Sequence, residues 1–377
     1  MSKKIQVGHV IRYYLRLTET FIQSYLTHAQ SHLPCVLTDI LVPTTDNNTS
    51  CVYLIAHRQV AKMSKQERHF FLSKLDYPLC YAQTIVERQM DVLHAHFGAM
   101  GYRALNLKHT VQLPLVVSFY GVDASHLLGV KQWQKHFAQL FDQADVVTAL
   151  GSDMAERLCT AGCPERKIEI VHLGVDLEAL PFRGRVSPEA DESIILLYCG
   201  RLVEKKGIFD ALDAFARLAD TWPQLCFRIV GDGVLRPQLK RKIRAMGLQE
   251  RVCVLGAISH RRVLEEMDQA HMFILPSKTA GNGDMEGTPT VLLEAQASGL
   301  PVLSTYHADI PEVVKDGESG FLVAEGDVDD LAGKLEVLLS QPDLWSKFGL
   351  AARKHIQKHY NIRREVKNLE AIYQKLV

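Results

Sequence analysis

Two carboxylates, Glu286 and Glu294, stand eight positions apart in the run 283–301. The residues between them describe the start of a helix. Thr288 suits an N-cap, Pro289 suits the first helical position, where its missing N–H costs nothing, and Gly299 followed by Pro301 suits the stop. The helix is therefore expected to begin between the two glutamates. Its free N–H groups around Thr290 and Val291, together with its dipole, would attract phosphate. A carboxylate accepts hydrogen bonds readily from vicinal hydroxyls. The spacing then suits a ligand with a ribose at one end, a diphosphate between, and a hexose at the other. The competing reading is an ordinary capped helix with a solvent-facing glutamate.

Cations are available nearby in the sequence. The strand-like run 194–198 is followed by Cys199-Gly-Arg201-Leu-Val-Glu-Lys-Lys206-Gly207, a turn at the carboxyl end of a strand, where parallel sheets bind ligands. Arg201 offers a bidentate fork to phosphate and Lys206 a point charge. The next strand ends in Gly231-Asp232-Gly233, which permits close backbone approach. Neither a dinucleotide fingerprint nor a Walker loop is present, so hydride transfer and NTP hydrolysis lose support. Asp327 and Asp329 read as the charged start of a helix, and no metal is assigned. The eight cysteines stand singly, without a Cys/His ligand cluster, and are expected to be buried thiols in a reducing cytosol.

These side chains need a scaffold, and 377 residues with 47% hydrophobic content suffice for two domains. Lys plus Arg and Asp plus Glu both number 43, which excludes the global basic field of a dedicated nucleic-acid binder. Short β-rich runs alternate with helix-period segments, which argues for an α/β protein with parallel sheets. Strands are expected at 5–11, 35–41, 92–95, 115–119, 146–149 and 168–172, and again at 194–198, 226–230, 252–255, 272–275, 302–304 and 320–323. A linker is expected at 176–193. The charged amphipathic stretch 354–377 is expected to be one helix that packs back on the first domain. The N-terminus has no long apolar run, so a cytoplasmic protein is expected, and the sequons at Asn47 and Asn48 are taken as chance matches.

In order and spacing, the Arg201–Lys206 turn, the Gly-Asp-Gly turn, Phe273-Ile-Leu-Pro-Ser277, the Glu286/Glu294 pair and Ile310-Pro-Glu-Val-Val-Lys-Asp-Gly-Glu-Ser-Gly320 resemble the retaining nucleotide-sugar glycosyltransferases of group 1 type. In the first half, Thr18-Glu19-Thr-Phe-Ile22, His94-Ala-His96-Phe-Gly98 and Ser118-Phe-Tyr120-Gly121-Val-Asp123 resemble the bacterial exopolysaccharide branch of colanic-acid and amylovoran type. The resemblance implies the GT-B fold, two Rossmann-like βαβ domains facing each other across a cleft. It places an acceptor-binding domain at 1–178, a sugar-donor domain at 179–355, and helix 356–377 against the first. Arg201 and Lys206 would hold the diphosphate, Glu294 the ribose, and Glu286 with Gly287, Thr288 and Pro289 the transferred sugar. Glu19, His94, His96, Tyr120 and Asp123 are candidate acceptor or cleft residues. The implied reaction moves a hexose-type sugar from a nucleoside-diphosphate sugar to a glycan or lipid-linked acceptor, with no metal or other cofactor required.

The chain also departs from the pattern. Many relatives carry a histidine where this chain has Tyr120, and Ser-Gly where it has His307-Ala308-Asp309. His94 and His96 are expected to point in alternate directions, one to the cleft and one to the core. The basic amphipathic stretch 57–74, with Arg58, Lys62, Lys65, Arg68 and Lys74 among Phe70, Phe71 and Leu72, is a candidate contact with the inner face of an anionic membrane. A GT-B sugar-nucleotide epimerase and a non-catalytic partner subunit are the rival functions. The intact Arg201, Lys206, Glu286 and Glu294 argue against the second.

Overall fold

The computed structural model describes residues 4–14, 19–41, 52–54, 77–189 and 192–377. They divide into two units, Met1–Gly174 with Ile362–Val377, and Val175–Asn361. The first unit contains β1 (Ile5–Tyr14), α1 (Thr20–Thr27), β2 (His32–Leu41), β3 (Val52–Leu54), α2 (Tyr77–Glu87), β4 (Val92–His96), α3 (Gly98–Val111), β5 (Leu115–Ser118), α4 (Lys131–Gln143), β6 (Val146–Ala149), α5 (Ser152–Thr160) and β7 (Ile168–Ile170). The second contains β8 (Ile194–Cys199), α6 (Ile208–Leu218), β9 (Leu225–Val230), α7 (Arg236–Ala245), β10 (Val252–Gly256), α8 (His260–Gln269), β11 (Met272–Ile274), α9 (Thr290–Ala297), β12 (Val302–Thr305), α10 (Ile310–Val313), β13 (Gly320–Val323), α11 (Val328–Ser340) and α12 (Asp343–His359). The last helix, α13 (Ile362–Leu376), belongs to the first unit.

Both sheets are wholly parallel among the described strands. Their orders are β3-β2-β1-β4-β5-β6-β7 and β10-β9-β8-β11-β12-β13. The burial pattern explains why. In β8 the residues Ile194 to Tyr198 are all buried, as is the whole of β4, because helices cover both faces of such a sheet. In α6, Ile208, Ala211, Leu212, Phe215 and Leu218 recur at helical spacing and face the sheet. Phe215 stacks on Phe227 of β9 with centroids 5.4 Å apart. Each sheet reverses its winding once, between β1 and β4 and between β8 and β11. Beyond the carboxyl ends of the strands at such a reversal, doubly wound sheets leave a ligand-sized crevice.

Several expectations are corrected. The stretch 354–377 is not one helix, since α12 ends at His359 and α13 restarts at Ile362. The break falls where the chain returns to the first unit, with the Val175 N–H donating to the Tyr360 carbonyl at 2.8 Å. Glu370 of α13 then accepts from the backbone N–H groups of Gln30 and Ser31, each at 2.7 Å, and lies 2.8 Å from His32 Nδ1. The segment expected as a linker is instead strapped to the second unit. Leu180 is buried, and the Arg185 guanidinium donates to the Asp268 and Ser298 carbonyls. The expected limits 178/179 and 355/356 therefore move to 174/175 and 361/362. Cys253 is exposed, against the expectation of buried thiols. The strand β3 was not expected. The basic stretch 57–74 and the two sequons lie outside the described residues. No helix among the described residues is long and apolar enough to cross a membrane.

Candidate active site

In the second unit the winding reversal brings together the turns that follow β8 and β11. Two glycines make this contact possible. Gly207 has φ +61°, and a Cβ there would lie 1.8 Å from the Pro276 carbonyl oxygen. Gly231 has φ +136°, and its Cβ would lie 1.9 Å from the Gly200 carbonyl oxygen, so only glycine lets the three turns close on one another. The Leu202 N–H donates to the Asp232 carbonyl at 2.9 Å. Asp232 itself accepts from the Gly233 N–H and from Arg236, which fixes the turn.

Lys206 and Glu286 meet at this junction, 3.0 Å apart and both buried. Burial raises the Glu286 carboxyl pKa, but the Lys206 and Lys205 ammoniums outweigh it and hold it below its ordinary value. Glu286 is thus anionic at neutral pH. The Lys206 ammonium contacts Glu286 Oε1 directly, whereas Ser277 Oγ and Thr288 Oγ1 are buried without a hydrogen-bond partner. Orphaned buried polar atoms are costly and are the atoms a polar ligand would satisfy. Arg201 is exposed beside them and pairs with no carboxylate among the described residues. Lys205, missed from sequence, donates to Asp284 and to the Met285 carbonyl at 2.9 and 2.7 Å, and so pins the loop that carries Glu286.

The helix start differs by one residue from the expectation. Pro289, with φ −67° and extended ψ 108°, is the N-cap, and Thr290 is the first helical residue. Thr288 does not cap it, and no side chain does. Gly299, at φ +86°, ends the helix with the Leu300 N–H on the Ala295 carbonyl, as expected. Glu294 lies one turn into this helix. Its Oε1 is 2.8 Å from Nε2 of the half-exposed His260, and that hydrogen bond raises the histidine's pKa. His260, too, was missed. Asp327 caps α11 through the Asp330 N–H at 2.9 Å, and Asp329 pairs with Arg217, so both are occupied at the helix start.

In the first unit the corresponding reversal carries imidazoles instead. His94 and His96 point to the same side of β4, which corrects the expectation, because residues two apart on a strand share a face. Their rings stack with centroids 4.3 Å apart. His9, paired in register with His94, places Nδ1 3.0 Å from His96 Nε2. Tyr120 places its hydroxyl 2.6 Å from His96 Nδ1, and His94 lies between the hydroxyls of Tyr373 and Ser118 at 2.6 and 2.7 Å. Burial, then mutual repulsion, holds His9, His94 and His96 well below the usual histidine pKa, so they are neutral. One nitrogen of each lies within 4.8 Å of the others', a spatial grouping the sequence did not reveal. Both nitrogens of His94 are already engaged by hydroxyls, so the arrangement in place is a hydrogen-bonded network. Asp123 is buried and accepts from the N–H groups of Gly98, Tyr120 and Gly121, which ties the turns after β4 and β5 together. Glu19 is half-buried at the start of α1 and makes no side-chain cap.

Comparison with known proteins now decides the family. Residues 183–355 match the model described as glycosyl transferases group 1, and residues 39–179 match glycosyltransferase family 4. The chain is 32% identical over 307 residues to the amylovoran biosynthesis glycosyltransferase AmsK of Erwinia amylovora, covering 81% of this chain and 75% of AmsK. The chain belongs to the group 1 glycosyltransferases. It is also 35% identical over 247 residues to WcaL of Salmonella typhimurium, named as a colanic acid biosynthesis glycosyltransferase, and that match spans 65% of this chain and only 60% of WcaL. Among solved structures, Anabaena HepE in complex with UDP and glucose superposes with a TM-score of 0.79 over 99% of this chain and all of the other, at 16% identity. At that identity the likeness establishes the fold, which is GT-B.

Proposed function

We propose that the chain is a retaining glycosyltransferase that moves a hexose-type sugar from a nucleoside-diphosphate sugar to a glycan or lipid-linked acceptor in bacterial exopolysaccharide synthesis. The observation that carries this reading is the buried Lys206–Glu286 pair at the winding reversal of the second unit, beside an uncapped helix start and with orphaned polar atoms around it. Breaking a sugar–phosphate bond develops negative charge on the departing nucleoside diphosphate. Lys206, Arg201 and the start of α9 are fixed positive groups suited to that charge, and such preorganised groups accelerate the step. Glu286, anionic, accepts from the sugar hydroxyls and holds the ring while the acceptor attacks the face from which the diphosphate leaves. Glu294 takes the ribose hydroxyls in place of His260. Gly231, Asp232 and Gly233 form the floor of the phosphate site.

The names of AmsK and WcaL support the exopolysaccharide setting, and UDP and glucose bound to HepE support a nucleotide-sugar donor. Because cations and a helix start stand at the leaving group, no divalent ion is required. A thermal-shift panel of UDP-, GDP- and ADP-sugars tests the reading, since a ligand of the folded state raises the melting temperature. One nucleotide class is expected to do so in excess chelator. No response to any of them contradicts the proposal, and an inverted anomer by proton NMR of the product contradicts retention.

A further inference from the structure

We infer that His307 and Glu325 are positioning residues that set the place of Glu286, an inference that rests on the reading of Glu286 as the group holding the transferred sugar. The Glu286 N–H donates to His307 Nε2 at 3.0 Å. A backbone N–H only donates, so Nε2 carries no proton and the imidazole's hydrogen sits on Nδ1. Nδ1 in turn lies 2.5 Å from Glu325 Oε1, and the other Glu325 oxygen accepts the Thr279 N–H at 2.8 Å. One imidazole and one carboxylate therefore hold both Thr279 and Glu286, two points of the loop between β11 and α9. The His307 side chain is wholly enclosed, while Glu325 is one-third exposed.

The backbone around His307 is shaped for this. Ala308 follows with φ +46°, a left-handed conformation that disfavours a residue with a Cβ and persists where the surroundings impose it. The turn is closed on both sides, by the His307 N–H on the Thr305 carbonyl at 2.8 Å and the Ile310 N–H on the His307 carbonyl at 3.0 Å. It swings the imidazole inward from the end of β12 towards the loop from β11. Lys205 straps the same loop at Asp284 and Met285, just ahead of the residue the imidazole holds.

The test uses His307→Leu, which removes the acceptor, His307→Gln, whose amide offers both an acceptor and a donor, and Glu325→Ala at the more exposed end, where folding is least at risk. The readouts are nucleoside-diphosphate release from whichever of UDP-glucose, GDP-mannose and ADP-glucose raises the melting temperature most, calorimetry with the matching free diphosphate, and amide exchange in the peptide spanning 279–289. A misplaced reacting group costs up to about a hundredfold. His307→Leu is expected to lose about tenfold to a hundredfold in kcat, with diphosphate affinity unchanged and exchange at 286 accelerated. Glu325→Ala should shift kcat in the same direction, and His307→Gln, which keeps an acceptor for the Glu286 N–H, should restore most of the loss. Wild-type kcat in a folded His307→Leu protein overturns the inference, as does a loss that His307→Gln fails to restore. Glu286→Gln keeps the two readings apart: if it turns over like the wild type, the reading of Glu286 fails, whereas if it is inactive and His307→Leu is fully active, only the role of His307 fails.

Discussion

The two units share a winding order and a reversal point, yet they furnish it with opposite chemistry. Beyond β8 and β11 stand a buried ion pair, an exposed arginine and an uncapped helix start. At β1 and β4 stand three neutral imidazoles, a tyrosine and a carboxylate fully engaged by backbone N–H groups. The scaffold decides where a site lies, and the strand-end residues decide what it does. Fixed charge suits a site that must stabilise a departing diphosphate. A neutral, hydrogen-bonded set instead suits recognition of hydroxyl groups, or simply a polar core.

The strongest way to break this contrast is to remove a charge from the second unit. Lys206→Ala, and separately Arg201→Ala, should each lower turnover by about two to three orders of magnitude, the usual cost of losing one preorganised group facing a developing anion. Steady-state kinetics with the true sugar donor checks it, and near-wild-type turnover in both variants would remove them from the diphosphate site.

The first unit should respond in stability instead. Burial raises the Glu370 carboxyl pKa, but the N–H groups of Ser31 and Gln30 and the bond to His32 outweigh it and leave it lowered. Such a group stabilises the fold above its unfolded pKa, and the contribution is lost as pH falls through the lower folded value. Glu370→Ala leaves those N–H groups and His32 without their partner, at a cost of about 3 kcal/mol at neutral pH. Denaturant unfolding with a probe in the first unit measures it, and an unchanged midpoint would mean that α13 is not anchored as described.

A smaller effect sharpens the neutrality of the imidazoles. Their folded-state pKa values are lowered, so the unfolded chain binds more protons below the ordinary value of about 6.5, and stability falls as pH drops through that point. Each contributes a slope of about 1.4 kcal/mol per pH unit. His9→Asn keeps a polar group near the Nδ1 position while removing one titrating ring, and should flatten the stability profile between pH 6.5 and 5 by about that amount. An unchanged slope would show that His9 is already charged in the fold.

How much of this was legible follows from which forces act locally. The parallel strands were readable because a strand covered on both faces must be apolar throughout, as in 194–198, and the Glu286 and Glu294 positions were readable because helix-start chemistry lies within a few residues. Alternating elements imply parallel sheets but not their strand order, so neither the winding reversals nor the His9–His94–His96 grouping could be inferred, since β1 and β4 are neighbours only through the crossover. The direction of His94 and His96 was legible from strand periodicity and was misread. The single helix expected at 354–377 failed because its period runs unbroken across Tyr360 and Asn361, where only the chain's return to the first unit interrupts it. His307, Glu325 and Lys205 carry no spacing signal towards Glu286, because turns after β8, β12 and β13 bring them there.

The central claim is the division of labour across the start of α9, with the ribose at Glu294 and the sugar at Glu286. Calorimetry of UDP, GDP and ADP binding to the wild type, Glu294→Gln and Glu286→Gln tests it most directly. The account predicts that one diphosphate binds the wild type, that Glu294→Gln weakens it by about tenfold to a hundredfold, the cost of a hydrogen bond to a charged group, and that Glu286→Gln leaves it unchanged while abolishing transfer. Equal loss of affinity in both variants, or no diphosphate binding by the wild type, would contradict it.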